Sequence, residues 1–134
     1  MMPLHPAERR IYTVGTIGWR AADLLLTVRM ADALLVDIRH NPRDASRPWS
    51  QADLVALVGS TRYRSLEALA AHYYRPGRIA LAGSDVDASV ARAADWLADQ
   101  SIILLCACAD WRTCHRRQAA DLIAAATGIP VAHL

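Results

Sequence analysis

Apolar residues along this chain fall into short blocks of strand formers, separated by stretches in which they recur at helical spacing. The block Arg10-Ile11-Tyr12-Thr13-Val14 is rich in β-branched and aromatic residues and stops at Gly15-Thr16-Ile17-Gly18, a turn signal, so it predicts a first strand. From Trp19 to about Met30, Leu24, Leu25 and Val28 recur with Asp23, Thr27 and Arg29 between them, which predicts a helix. Ala33-Leu34-Leu35-Val36-Asp37-Ile38 is almost continuously apolar, the mark of a parallel strand covered on both faces.

A polar, proline-bearing loop from Arg39 to Trp49 leads to Ser50, a cap for a short helix ending near Val58-Gly59. Thr61-Arg62-Tyr63-Arg64 reads as a short strand, Leu66 to His72 as a helical turn or two, and Arg75-Pro76-Gly77-Arg78 as a loop. Ser84 or Asp85 can cap a third helix, with Val90, Ala93, Ala94 and Leu97 inward and Arg92, Asp95 and Asp99 outward. A cysteine-bearing strand over Ser101–Cys108 follows, then a helix over about Cys114–Thr127 stopped by Gly128, and a closing strand Ile129–His133. This alternation, in 134 residues, predicts a single α/β domain with a mainly parallel sheet flanked by helices. Ligands of such sheets bind beyond the carboxyl ends of the strands. The ends at Gly15-Thr16-Ile17-Gly18, Asp37-Ile38-Arg39 and Cys106 to Arg116 should therefore share one rim.

Composition narrows the classes. No stretch approaches the roughly 18 apolar residues of a membrane span, and the Met-Met-Pro-Leu-His start has no signal-peptide core, so a cytoplasmic protein without membrane contact is expected. The fifteen basic side chains are all arginine, and the net charge of +2 is too small to predict non-specific nucleic-acid binding. Where arginines cluster therefore matters more than their number. Three cysteines within nine residues argue against a disulfide framework and for reduced thiols.

The clearest anomaly is Cys114-His115-Arg116-Arg117 at the start of a helix, just after Arg112. A helix N-terminus already carries about half a positive charge, and each added cation there costs roughly 0.3–1 kcal/mol. A bound anion would offset that repulsion. Thr113 as N-cap would aim the N–H groups of Cys114, His115 and Arg116 into the crevice. The stripe Ala119, Leu122, Ile123, Ala126, carried back one turn, reaches His115 and turns it toward the sheet. Arg117 is expected to pair with Asp121. Cys114, beside cations at a helix start, is the candidate nucleophile, although a small packing residue there needs no function. Asp37 either contacts a ligand or pairs with Arg39 or Arg116. Gly15, Thr16 and Gly18 would let backbone approach a ligand, and Arg43 extends the basic rim.

Two further patterns weigh little. Cys106 and Arg112 have the Cys-x5-Arg spacing of cysteine phosphatases, but Cys106 lies inside an apolar strand. Cys106, Cys108, Cys114 and His115 invite a zinc site, yet residues two apart on an extended strand stand about 6.6 Å apart. That is too far for two thiolates on one ion at about 2.3 Å each, unless the strand breaks there, so no metal or cofactor is expected.

Three blocks together resemble the DUF488 family (domain of unknown function 488). They are Ile11-Tyr12-Thr13-Val14-Gly15 with Gly18; Val36-Asp37-Ile38-Arg39 with Pro42-Arg43; and Leu104-Leu105-Cys106-Ala107 with Cys114-His115-Arg116, similar to the family's Leu-Leu-Cys-Ala-Glu run followed by Cys-His-Arg. Val131-Ala132-His133-Leu134 also suits it, the middle of the chain is shorter than usual, and Cys108 stands where the family has an acid. The resemblance implies a Rossmann-like fold and an enzymatic rim site without an assigned reaction. The resulting expectation is a small enzyme for an anionic small molecule or nucleotide, or a nucleic-acid end, of open oligomeric state. Cys114, His115 and Asp37 would be catalytic, and Gly15, Thr16, Gly18, Arg39, Arg43, Arg112, Thr113 and Arg116 would bind substrate. The competing classes are a non-catalytic nucleic-acid or protein-binding module, with Trp49 and Trp111 stacking on bases, and thiol or zinc chemistry in the cysteine cluster.

Overall fold

The computed structural model describes residues 8–70 and 84–134. Five strands, β1 (Ile11–Gly15), β2 (Leu34–Asp37), β3 (Tyr63–Ser65), β4 (Ile102–Cys106) and β5 (Val131–His133), form one sheet in the order β3-β2-β4-β1-β5. Every pairing is parallel, and the register sets Gly15 beside Cys106 and Asp37 beside Leu105. The carboxyl ends of β1, β2 and β4 thus lie side by side, the shared rim expected of them. The fold is a single Rossmann-like α/β arrangement.

Among the described residues four helices cover the sheet: α1 (Ala21–Ala31), α2 (Gln51–Val58), α3 (Ser84–Leu97) and α4 (His115–Thr127). Side chains alternate along the strands. Tyr12, Val14, Leu35, Ile103 and Leu105 pack against Leu24 and Val28 of α1 and Leu54 of α2. Ile11, Val36, Ile102 and Leu104 meet Ala93 and Leu97 of α3 and Ala119, Ala120 and Ile123 of α4 on the other face. Burial on both faces explains why β2 and β4 read as unbroken apolar runs.

Local signals fix the helix ends. Ser50 caps α2 in a reciprocal pair: its hydroxyl accepts from Asp53 N–H, and the Asp53 carboxylate accepts from Ser50. That bonding holds the Asp53 carboxyl below its usual range. Gly128 ends α4 in the left-handed conformation, φ 74°. The helical turn expected from Leu66 shrinks to a 3₁₀ turn at Glu67–Leu69, and the expected loop Arg75–Arg78 lies outside the described residues.

One boundary is corrected. A 3₁₀ turn over Trp111–Thr113 separates β4 from α4, so the N-cap is Cys114, not Thr113, and the Cys114 sulfur accepts from the Arg116 N–H at 3.5 Å. The buried face of α4 is correspondingly Arg116, Ala119, Ala120 and Ile123, while Ala126 is exposed and Leu122 only half-buried. Carried back from Ala119 and Ala120, that face arrives at Arg116 and leaves His115 at its edge.

Candidate functional site

β4 ends at Cys106 and the chain bends at Ala107, so Cys108 is not held at extended-strand spacing. The bend removes the geometric objection to a shared site for the cysteines. The Sγ atoms of Cys106, Cys108 and Cys114 all lie within 4.8 Å of one another. Cys106 and Cys114, both buried, approach to 2.9 Å between sulfurs, and Cys108 is half-buried.

Arg116 is driven into this group from the first turn of α4. It is 1% exposed, and its Nη1 donates to the Cys108 carbonyl at 2.8 Å and to Cys106 Sγ at 3.3 Å. Its Nε has no hydrogen-bond partner, and among the described residues no carboxylate pairs with it. A buried guanidinium without an acid needs another source of negative charge, and the adjacent sulfur is the nearest. In keeping with this, the Cys106 thiol is brought down to about 6 by the Cys114 hydrogen bond and the Arg116 charge, against the opposing effect of burial. The same hydrogen bond, together with burial, pushes the Cys114 thiol far up. Cys114, the candidate nucleophile, is thus buried at 3% exposure with its sulfur against Cys106 Sγ and near His115 Nδ1. Burial also raises the Cys108 thiol.

Gly15 makes the arrangement sterically feasible. A Cβ at that position would collide with the Cys108 carbonyl and the Arg116 guanidinium, so close approach is the reason for glycine at the end of β1. Thr16 donates its N–H to the Cys106 carbonyl at 2.9 Å, tying the β1 end to the β4 end. Gly18 serves the turn, with φ 87° and open space around it.

At the end of β2, Asp37 is fully buried and completely engaged. Its Oδ1 accepts from Arg39 N–H at 3.1 Å and Nε at 2.9 Å; its Oδ2 accepts from Arg39 Nη2 and from the Tyr63 hydroxyl, each at 2.7 Å. The pairing partner is Arg39, not Arg116. Burial and the bond to Asp37 together raise the Tyr63 phenol well above its usual value. Tyr63 went unnoticed in the sequence because its link to Asp37 arises from strand pairing, with Leu35 set beside Tyr63 and Asp37 beside Ser65.

His115 stands half-buried between these two arrangements. Its Nε2 donates to the Ile38 carbonyl at 3.0 Å, and its Nδ1 lies 3.7 Å from Cys114 Sγ, within hydrogen-bonding reach of that thiol. Together with Arg39, His40, Asn41, Ala107 and Cys108 it lines a depression of about 410 Å³ at the rim.

Other expected residues go elsewhere. Arg43 is exposed, 3.8 Å from Glu67, and does not line the depression. Arg112 and Arg117 lie over the Trp111 ring at 5.6 and 5.7 Å, so Arg112 is not the guanidinium beside Cys106 and Arg117 does not pair with Asp121. The Trp111 ring is stacked on His133 at 3.9 Å, and Trp49 packs against the core, so both candidate base-stacking rings are already in contact with protein. The Thr113 side chain lies outside what is described.

The rim thus defines an α/β domain whose parallel strands converge on three thiols, an imidazole and a buried arginine. The model of the DUF488 family, Domain of unknown function DUF488, matches residues 78–123, the same family that the three sequence blocks resemble. The matched stretch carries the Cys106 block and Cys114-His115-Arg116; the β1 and β2 blocks lie outside it. No curated protein and no solved structure gives a significant match to the chain.

Proposed function

We propose that this chain is a small enzyme that binds an anionic, phosphate-bearing substrate, a nucleotide or a nucleic-acid end, in the depression where β2 and β4 end. The observation that carries the reading is the placement of His115. It lines the depression from the first turn of α4, with Nε2 donating to the Ile38 carbonyl and Nδ1 beside the Cys114 thiol, so the ring links the β2 end to the sulfur group. Helix polarity at that end favours an anion, and the carboxyl ends of parallel strands are where such folds take ligands. In this reading His115 moves the proton. Asp37 and Tyr63 are positioning residues: they hold Arg39, 6% exposed, in its place on the wall. Arg116 organises the thiols from beneath, and Arg112 adds positive charge just before α4.

A thermal-shift series with phosphate, sulfate, mononucleotides and 5′-phosphorylated oligonucleotides tests this. Wild type is expected to rise in Tm with phosphate-bearing compounds, and His115→Ala to lose most of that rise while remaining folded. No response from wild type, or equal responses from the two proteins, would overturn the reading. Binding only to oligonucleotides, equally strong after His115→Ala, would favour a non-catalytic nucleic-acid module.

A further inference from the structure

We propose that Cys106, Cys108 and Cys114 are the ligands of a thiophilic cation of the zinc class, with a fourth coordination position left open toward the depression. Three sulfurs within 4.8 Å of one another already approach a tetrahedral set. With metal–sulfur bonds of about 2.3 Å, tetrahedral geometry places sulfurs about 3.8 Å apart. Closing around one ion therefore needs side-chain movements of no more than about 1 Å in any sulfur–sulfur distance, the 2.9 Å Cys106–Cys114 pair opening.

The charge balance of the surroundings points the same way. Three thiolates around a dication leave one net negative charge, and beside them sits one buried cation, Arg116, that has no carboxylate partner among the described residues. Arg116 also supplies the outer hydrogen bonds that metal thiolates attract, from Nη1–H to Cys106 Sγ and from its backbone N–H to Cys114 Sγ. Its Nε is buried and has no hydrogen-bond partner among the described residues. The one carboxylate that ends a neighbouring strand, Asp37, is consumed by Arg39 and Tyr63, so the donor set is sulfur and selects a soft or borderline ion over magnesium or calcium.

Access is through Cys108, the half-buried thiol that lines the depression. Binding forms three metal–sulfur bonds and releases to solvent the proton of each thiol that was protonated, with no change of oxidation state. Three protein ligands and one open position are the pattern of zinc sites that act on a substrate. This inference is independent of the anionic-substrate reading, since the three protein ligands are brought together without any substrate.

The test is metal analysis of the purified full chain, followed by cobalt(II) titration of the chelator-treated, fully reduced protein. The expected result is a sulfur-to-cobalt charge-transfer band that saturates at about one equivalent and is displaced by zinc. Cys108→Ala, at a half-buried position just after the bend and checked for folding by circular dichroism, should lose that band or bind at least about tenfold more weakly. Failure of reduced wild type to bind, cobalt binding without the charge-transfer band, or an unchanged titration in folded Cys108→Ala would overturn the proposal. So would a Cys106–Cys114 disulfide in the isolated protein whose reduction restores no metal uptake. The phosphate screen on His115→Ala reads the separate substrate proposal, so either can fail alone.

Discussion

Arg116 occupies the space that any side chain on Gly15 would need: a Cβ there would strike both the guanidinium and the Cys108 carbonyl against which it rests. The end of β1 and the start of α4 are therefore fitted to each other at one residue pair. Gly15→Ala should destabilise by about 1–3 kcal/mol, the cost of overpacking a filled interior. Urea denaturation measures it. Gly18→Ala, in open space but at φ 87°, should cost only about 1–2 kcal/mol from the left-handed backbone. A Gly15→Ala protein as stable as wild type would mean that Arg116 does not lie against β1.

The buried guanidinium makes a second prediction about stability. Arg116→Ala removes its bonds to Cys108 and Cys106 and leaves a hole beside the sulfurs, and a loss of about 3–5 kcal/mol is expected. Arg116→Met refills much of the volume without the unpartnered Nε, so it should lose distinctly less than Arg116→Ala. Equal losses in the two variants would assign the whole effect to charge and none to packing. Chemical denaturation of both, under reducing conditions, separates the cases.

These contacts also show how far the amino-acid pattern reached. Strands β2 and β4 were legible because burial on both faces writes an unbroken apolar run, and Ser50 was legible because a capping serine acts within its own turn. The inward face of α4 was legible in part: Ala119 and Ile123 are buried and Leu122 packs against the core, as the expected stripe has them. That helix is rich in alanine, which marks no face strongly, so nothing in the sequence separates exposed Ala126 from buried Ala120, or points the first turn through Arg116. The convergence of the three thiols was raised by the sequence but discounted, because Ser101–Cys108 carries no proline or glycine to announce the bend at Ala107. Asp37 posed a choice of partners that only the fold could decide, and the third member, Tyr63, comes from a strand twenty-six residues away.

The Asp37 arrangement can be tested one bond at a time. Tyr63→Phe keeps the ring in the core and removes only the hydroxyl that donates to Asp37 Oδ2, leaving a buried carboxylate oxygen short of one donor. A loss of about 1–3 kcal/mol is expected near neutral pH. The phenol also makes a pH signature. Because its folded-state value is raised above 10.0, its contribution is complete below that pH and is lost as pH rises, when the unfolded chain ionises Tyr63 and the folded chain does not. Wild type should therefore lose stability faster than Tyr63→Phe above pH 10.0, as measured by denaturant midpoints.

At the opposite edge of the sheet, His133 should give the acid counterpart. Its ring is stacked on Trp111 and its Nδ1 is bonded to the Thr13 hydroxyl, joining β5 both to β1 and to the turn that precedes α4. Burial lowers its affinity for a proton, the charges of Arg116 and Arg117 lower it further, and Asp121 only partly opposes them. For a histidine depressed in this way the folded state favours the neutral ring. Its contribution is complete above the ordinary value of 6.5 and declines as pH falls and the unfolded chain takes up a proton that the folded chain resists. Stability should thus fall between about pH 7 and pH 5 more steeply in wild type than in His133→Gln, which has no ring to protonate. The midpoint of urea unfolding, followed by tryptophan fluorescence across that interval, reads the slope directly. Because Trp111 lies against the imidazole, its emission should also change as β5 loosens. Identical slopes in the two proteins would mean that His133 is as free to protonate in the fold as in the open chain, and that its contact with Trp111 does not anchor the edge strand.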